Sequence, residues 1–181
     1  MQVQIITLEE LRQLCKPISK LIDDEDVTPY ILEAQNIDLK PKLTDALLID
    51  IKKWVANSTS TEADYDLLLN GGIWVSELGM TFEIVGLKAS LAYYTYCRLI
   101  NNTSYDMSRF GLREKSDIYS ASVDAKERRR MENDARVTAD RYMQECLQYL
   151  VADIKNFPIL KKRLPLRQPN NIKFRVLPDP K

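Results

Sequence analysis

The sequence predicts a mainly α fold: a small helical bundle with one long C-terminal helix, a short β-hairpin and an extended C-terminal tail. Three observations carry this. Residues 86–102, GLKASLAYYTYCRLINN, are apolar nearly all round, as a helix covered on most faces must be. From about Ser122 to Asn156 there is neither Gly nor Pro, and Met131, Ala135, Tyr142, Cys146, Tyr149 and Leu150 follow helical spacing. Of the 8 prolines, those at 158, 165, 169, 178 and 180 fall in the last stretch of chain and forbid regular helix there.

Taken in order, Thr7-Leu8-Glu9-Glu10 has the form of a capping box, so a short helix is expected from Leu8 to about Lys16, ending before Pro17. Asp23-Asp24-Glu25-Asp26 reads as a loop or as the lead-in to the next helix. Thr28-Pro29 supplies an N-cap and a proline at the first helical position, for a helix reaching about Asn36. Pro41 is expected in the first turn of the following helix, on which Leu43, Leu47, Ile51, Trp54 and Val55 share a face. Asn57-Ser58-Thr59-Ser60 ends that helix, and Thr61 caps a brief one through Leu69.

Four of the 5 glycines, Gly71, Gly72, Gly79 and Gly86, mark the strongest break in helical pattern. Ile73-Trp74-Val75-Ser76 and Met80-Thr81-Phe82-Glu83-Ile84-Val85 are rich in β-branched and aromatic residues and predict a small hairpin packed on helices. The apolar helix 86–102 follows as the centre of the bundle. Its tyrosines Tyr93, Tyr94 and Tyr96 point in different directions and need several neighbours or a subunit interface to receive them. Residues 103–121 look irregular. They hold Tyr105, Met107, Phe110, Leu112, Ile118 and Tyr119, too much apolar surface for a free linker, so packing on a neighbour is expected, another copy of the chain being one candidate. The long helix, roughly 34 residues at 1.5 Å rise, would be a rod of roughly 50 Å, longer than a domain of this size needs.

The organisation expected is therefore a helical bundle domain over 1–156 and an extended basic, proline-rich tail over 157–181. From Lys155 onward there are eight bases and one acid. Within the tail, Ile172-Lys173-Phe174-Arg175-Val176 alternates apolar and basic residues, the pattern of a strand with one buried face that needs a sheet edge from elsewhere.

Charge is uneven although the net is zero. Residues 1–100 carry 15 acids and 9 bases, while 101–181 carry 11 acids and 17 bases, a polarity that fits either acidic-to-basic association between copies or an ordinary solvated surface. At 181 residues, 45% apolar and 29% charged, the chain is an ordinary globular one. No apolar run approaches the roughly 18 to 20 residues of a membrane span, and MQVQIITLEELRQL has no signal-peptide form, so folding in a cytoplasm is expected. Cys15, Cys97 and Cys146 are far apart and read as small buried hydrophobes.

The chemistry of catalysis is hard to find. There is no histidine, which removes Ser-His-Asp and Cys-His nucleophiles, His metal sites and the commonest general acid–base group. Neither GxGxxG nor GxxxxGK[ST] occurs. Asp23 to Asp26, and Asp64 with Asp66, lack the alternating ligands and central glycine of a metal loop. No catalytic residue, metal or cofactor is expected. Arg128-Arg129-Arg130 sits among Glu127, Glu132 and Asp134, so ion pairing on a solvated face is the ordinary reading and a DNA-facing role the functional one. Lys161-Lys162-Arg163 is less neutralised and is the better nucleic-acid candidate, though no motif for sequence readout accompanies it.

The order of several stretches is informative: Thr28-Pro-Tyr-Ile-Leu-Glu-Ala-Gln35, Tyr65-Asp-Leu-Leu-Leu-Asn-Gly-Gly72, Phe82, Gly86-Leu-Lys-Ala-Ser-Leu-Ala-Tyr-Tyr94, Arg109-Phe-Gly-Leu112 with Lys115, and Tyr142 followed by Glu145-Cys-Leu-Gln-Tyr-Leu150. Over roughly residues 7 to 157 this series resembles the head–tail connector (adaptor) proteins of tailed bacteriophages, particularly those of Bacteroides-type hosts. The resemblance implies a non-enzymatic structural subunit of the virion, assembled in the host cytoplasm. Its copies would form a ring, twelve in number to match the portal, that joins portal to tail or to a second ring protein and lines the DNA exit channel. No membrane is involved, and DNA contact would be non-specific. On this reading the tail residues Lys161, Lys162, Arg163, Arg167, Ile172, Lys173, Phe174, Arg175 and Val176 meet the portal or another partner. Tyr105, Arg109, Phe110, Leu112, Arg113, Ile118 and Tyr119 form a subunit-interface loop, and Arg128, Arg129 and Arg130 are candidates to face DNA. The alternative function is a nucleic-acid-binding accessory protein that uses the basic tail.

Overall fold

The computed structural model describes residues 3–57, 63–76, 79–102, 105–108, 111–114, 124–157 and 160. The fold is mainly helical, as the sequence predicts. Helix α1 spans Leu8–Leu14, α2 Asp24–Ala34, α3 Asp45–Ala56, α4 Ala63–Asn70, α5 Leu87–Asn102 and α6 Ala125–Ala152. Two antiparallel hairpins interrupt the helices: β1 Gly72–Val75 with β2 Thr81–Ile84, and β3 Tyr105–Ser108 with β4 Gly111–Glu114.

The capping box at α1 forms as expected. The Thr7 Oγ1 accepts from the Glu10 amide at 3.2 Å, and the Glu10 carboxylate accepts from the Thr7 amide at 2.9 Å. Helix α2 begins earlier than expected. Asp24, Glu25 and Asp26 make its first turn, and Pro29 lies inside the helix. Acidic side chains favour a helix N-terminus, and Val27, fully buried, anchors this turn to the core. The helix ends in a π turn, Gln35–Leu39. There the buried Gln35 side chain clamps the N-terminal strand of chain, accepting from the Ile5 amide at 2.7 Å and donating to the Val3 carbonyl at 3.1 Å. Pro41 does not enter α3. The Thr44 hydroxyl accepts from the Leu47 amide at 3.2 Å and caps that helix instead, because a side-chain acceptor satisfies an orphan donor that proline does not reach. On α3, Leu47 and Ile51 are buried and Trp54 and Val55 half-buried, as the shared face requires.

Helix α5 is the centre of the bundle. Leu87, Leu91, Ala92, Tyr94 and Leu99 are buried, and Ser90 donates to the Ala139 carbonyl of α6 at 2.9 Å. Two of its tyrosines, Tyr93 and Tyr94, are received within the chain. Tyr93 meets Tyr142 edge-on at 5.7 Å, and Tyr94 donates to Asp140 at 2.5 Å beside Lys42. Ion pairs tie α5 outward: Lys88 to Glu10 at 2.6 Å, and Arg98 to Glu33 at 2.7 Å and to Asp38 at 2.8 Å.

Helix α6 is 28 residues, about 42 Å, shorter than the sequence suggests. Its buried positions all fall from Ala135 onward. The chain turns after Ala152, and Asn156 donates to Asp153 at 3.0 Å and to Asp64 of α4 at 3.2 Å. This turn returns Phe157 to the core, where it is fully buried, and Leu160 with it. The bundle thus includes two residues that the sequence places in the tail. The segment 103–121 is corrected as well, since its described backbone pairs in register from Tyr105 opposite Glu114 to Ser108 opposite Gly111. Without β-branched alternation, that run carries no strand signal of its own.

Candidate interaction surface

The first hairpin is held in place by two glycines. Gly71 has φ +78° and Gly86 φ +97°, values that favour glycine. A β-carbon on Gly71 would lie 2.4 Å from the Ile84 carbonyl oxygen, and one on Gly86 2.6 Å from the Gly71 amide nitrogen. The ends of the hairpin therefore cross in backbone contact between α4 and α5. At its tip the Ser76 amide donates to the Met80 carbonyl at 2.8 Å.

Trp74 and Phe82 are cross-strand partners with rings stacked at 5.3 Å, a pairing that stabilises antiparallel strands. They belong to a continuous run of aromatic contacts. Trp74 meets Tyr149 of α6 at 5.5 Å, Tyr149 meets Phe157 at 5.7 Å, Phe157 meets Tyr65 of α4 at 5.4 Å, and Tyr65 stacks on Trp54 of α3 at 6.3 Å. Edge-to-face pairs of this kind add to simple burial. The contact of Trp74 with Tyr149 anchors the hairpin on the bundle.

Between β2 and α6 lies a groove of about 370 Å³, lined by Trp74, Met80, Phe82, Glu83 and Ile84 on one side and Glu145, Gln148, Tyr149 and Ala152 on the other. Successive strand residues point to opposite faces. Trp74, Ser76, Met80, Phe82 and Ile84 alternate onto one face of the hairpin, the face that Trp74 turns to Tyr149 of α6, so the groove lies between that face and α6, with Glu83 bordering it. Among the described residues the hairpin is a two-stranded sheet with no third strand. The outward face of the hairpin is apolar and exposed, with Ile73 73% and Val75 57% accessible.

The groove is acidic in its polar part. Glu83 and Glu145 line it, and the Glu145 Oε2 is buried without a hydrogen-bond partner among the described residues. Burial, then the nearby carboxylates of Asp64 and Asp153, push the Tyr149 hydroxyl well above the usual phenol range. Nothing in this arrangement pairs a nucleophile with a base. Burial raises the thiol of Cys15 to about 12, that of Cys97 to about 11 and that of Cys146 to about 12, far from the thiolate form a reactive cysteine needs. Cys97 and Cys146 are buried as expected, whereas Cys15 is half-buried at the end of α1. No group of three or more metal-ligating side chains occurs among the described residues. What the groove offers is an apolar trough bordered by two carboxylates.

Of the residues singled out from sequence, the tail set Lys161, Lys162, Arg163, Arg167 and Ile172 to Val176 lies outside the described residues, as do Arg109, Phe110, Ile118 and Tyr119. Tyr105 falls in β3, and Leu112 and Arg113 in β4, with Asp106 opposite Arg113 in the ladder. Arg129 and Arg130 are exposed near the start of α6, and Arg128 is half-buried. Two i,i+4 pairs on α6 join Arg136 to Glu132 and Arg141 to Glu145. Sequence reasoning found the hairpin but not the groove. The signal was the apolar content of Ile73 to Val85, and the lining from α6 is invisible until Tyr149 is placed under Trp74.

The fold and surface define a helical bundle that carries an anchored hairpin and presents a peptide-sized trough beside it. The chain belongs to the DUF6712 family, a family of unknown function whose family model matches residues 39–165. The match takes in α3 to α6 with both hairpins and leaves α1 and α2 outside. No curated protein and no solved structure matches the chain.

Proposed function

We propose that this chain is a structural head–tail connector subunit of a tailed phage, without catalysis of its own, whose copies form a ring between portal and tail. One observation carries the reading: the hairpin, anchored on α6 through Trp74, holds Ile73 and Val75 outward, and among the described residues they stay exposed. Apolar side chains held on an anchored element suit a permanent contact with another molecule. Val137 and Val151, exposed on α6, extend apolar surface to a second element. A subunit that meets different surfaces of its neighbours head to tail closes a ring when the rotation closes. Among the described residues, no helix is long and apolar enough to cross a membrane. The order of sequence stretches, which resembles that of connectors, supports the same reading.

Native mass spectrometry of the purified chain mixed with a phage portal protein tests this. A ring, or a defined portal complex that Ile73→Asp with Val75→Asp abolishes, is the expected result. A chain that stays monomeric and ignores portal rejects the reading. The exposed Arg129 and Arg130 favour a second reading, nucleic-acid binding by charge alone. It requires DNA affinity that falls steeply with salt and drops further when Lys161, Lys162 and Arg163 become alanine.

A further inference from the structure

We propose that the groove between the hairpin and α6 receives an arginine side chain of a partner polypeptide, with an apolar residue beside it that covers Met80 and Phe82. This goes beyond the connector reading, which rests on Ile73 and Val75 of the opposite hairpin face, and stands or falls without it.

Three observations choose the occupant. First, the walls suit a flat cation. Trp74 and Phe82 stack at 5.3 Å, and Trp74 meets Tyr149 at 5.5 Å. Phe82 lines the groove and is still 42% accessible. A guanidinium lies well against such rings, and it is more weakly hydrated than an ammonium.

Second, the charge is one-sided. The polar lining is Ser76, Gln148, Glu83 and Glu145, with no lysine or arginine. Glu145 Oε1 lies 3.8 Å from Arg141, whose side chain is 80% exposed, a setting in which an ion pair contributes little. Its Oε2 is buried with no hydrogen-bond partner among the described residues. Buried acceptors are normally satisfied. A guanidinium in the groove supplies several donors, and a turn of the Glu145 side chain brings Oε2 to them. The Tyr149 hydroxyl is raised first by burial and then by the carboxylates of Asp64 and Asp153, so the field about it is negative as well.

Third, the size and rim favour a polypeptide. The groove's 370 Å³ sits near the lower end of the range of about 300–1,000 Å³ for ligand pockets, room for one or two side chains. Met80, 52% accessible, carries the apolar surface onto the rim. A free small cation would leave that rim bare, whereas a polypeptide brings an apolar neighbour to cover it.

The test titrates the full chain, isotope-labelled at its methionine methyl groups, with acetyl-Phe-Arg-Leu-amide and follows the Met80 signal by NMR. Expected is a saturable shift of Met80 with Met131 unmoved. The same peptide with citrulline for arginine, alike in shape but neutral, should bind about tenfold more weakly, as a lost charge-assisted pair implies. Glu145→Gln should weaken the arginine peptide by a similar factor and leave the citrulline peptide as it was, with helical circular dichroism unchanged. Equal affinity of the unaltered chain for both peptides, no Met80 shift, or a folded Glu145→Gln chain that binds the arginine peptide as before each overturns the proposal. So does n-butylguanidinium binding as tightly as the peptide, which would make the groove a site for free small cations.

Discussion

Adding one methyl group at Gly71 would set a β-carbon 2.4 Å from the Ile84 carbonyl oxygen and 2.5 Å from that of Val85. Both atoms are backbone and cannot rotate away. Gly79, at φ +77°, has the same backbone preference but no atom within 4 Å of its added carbon. Comparing the two separates strain from clash. Gly79→Ala should cost about 1 kcal/mol, the conformational penalty alone, since a left-handed non-glycine residue costs of order 1–3 kcal/mol. Gly71→Ala should cost clearly more, because the hairpin must lift from α5. Urea unfolding of both variants decides it. Equal losses would mean that the close backbone crossing does not constrain the hairpin.

At the level of elements, local chemistry was legible where it acts within one turn. The capping box at Thr7 and Glu10, the apolar helix α5 and the β-branched first hairpin all follow from nearest neighbours. Signals that compete were misread. Thr28-Pro29 is a good helix start, but Asp24 to Asp26 with buried Val27 start α2 a turn earlier, and the core holds Pro29 inside the helix despite its missing amide. Likewise Thr44, not Pro41, begins α3. The second hairpin was missed because nothing in Tyr-Asp-Met-Ser or Gly-Leu-Arg-Glu marks a strand. The tail boundary failed for a different reason. Phe157 precedes a proline and follows a helix end, which reads as departure from the core, yet its ring packs edge-on against both Tyr65 and Tyr149. The groove depends on this non-local placement. If so, Phe157→Ala should cost about 3–5 kcal/mol, as for a buried aromatic, and should raise the exposure of Trp74. A loss under about 1 kcal/mol in urea unfolding would fit a tail residue and contradict the packing.

Across the whole molecule, the chain contains no histidine, so no side chain with an ordinary pKa titrates between the carboxylates and the thiols. Stability should therefore be flat through neutral pH and fall at both ends. On the acid side, burial raises the carboxyls of Glu10 and Asp140, but the Lys88 and Thr7 contacts of the first and the Lys42 and Tyr94 contacts of the second outweigh it. Both end below their ordinary values of 4.5 and 3.8. A depressed carboxyl contributes stability above its unfolded value and loses it as pH falls through the folded one. These two groups tie α1 to α5, and α6 to the Lys42 turn and α5, so acid should loosen the bundle from both sides of α5. On the alkaline side the sign reverses. The thiols of Cys15 and Cys146 stay neutral in the fold up to about 12 but ionise near 9.0 when unfolded. Their contribution is complete below 9.0 and declines as pH rises towards 12. Urea midpoints measured across pH should trace a plateau with two descending limbs. Glu10→Gln should shallow the acid limb alone, and Cys146→Ala the alkaline limb alone, whatever each costs at neutral pH. A slope through the neutral range, or an acid limb untouched by Glu10→Gln with Asp140→Asn, would show that other groups govern the linkage.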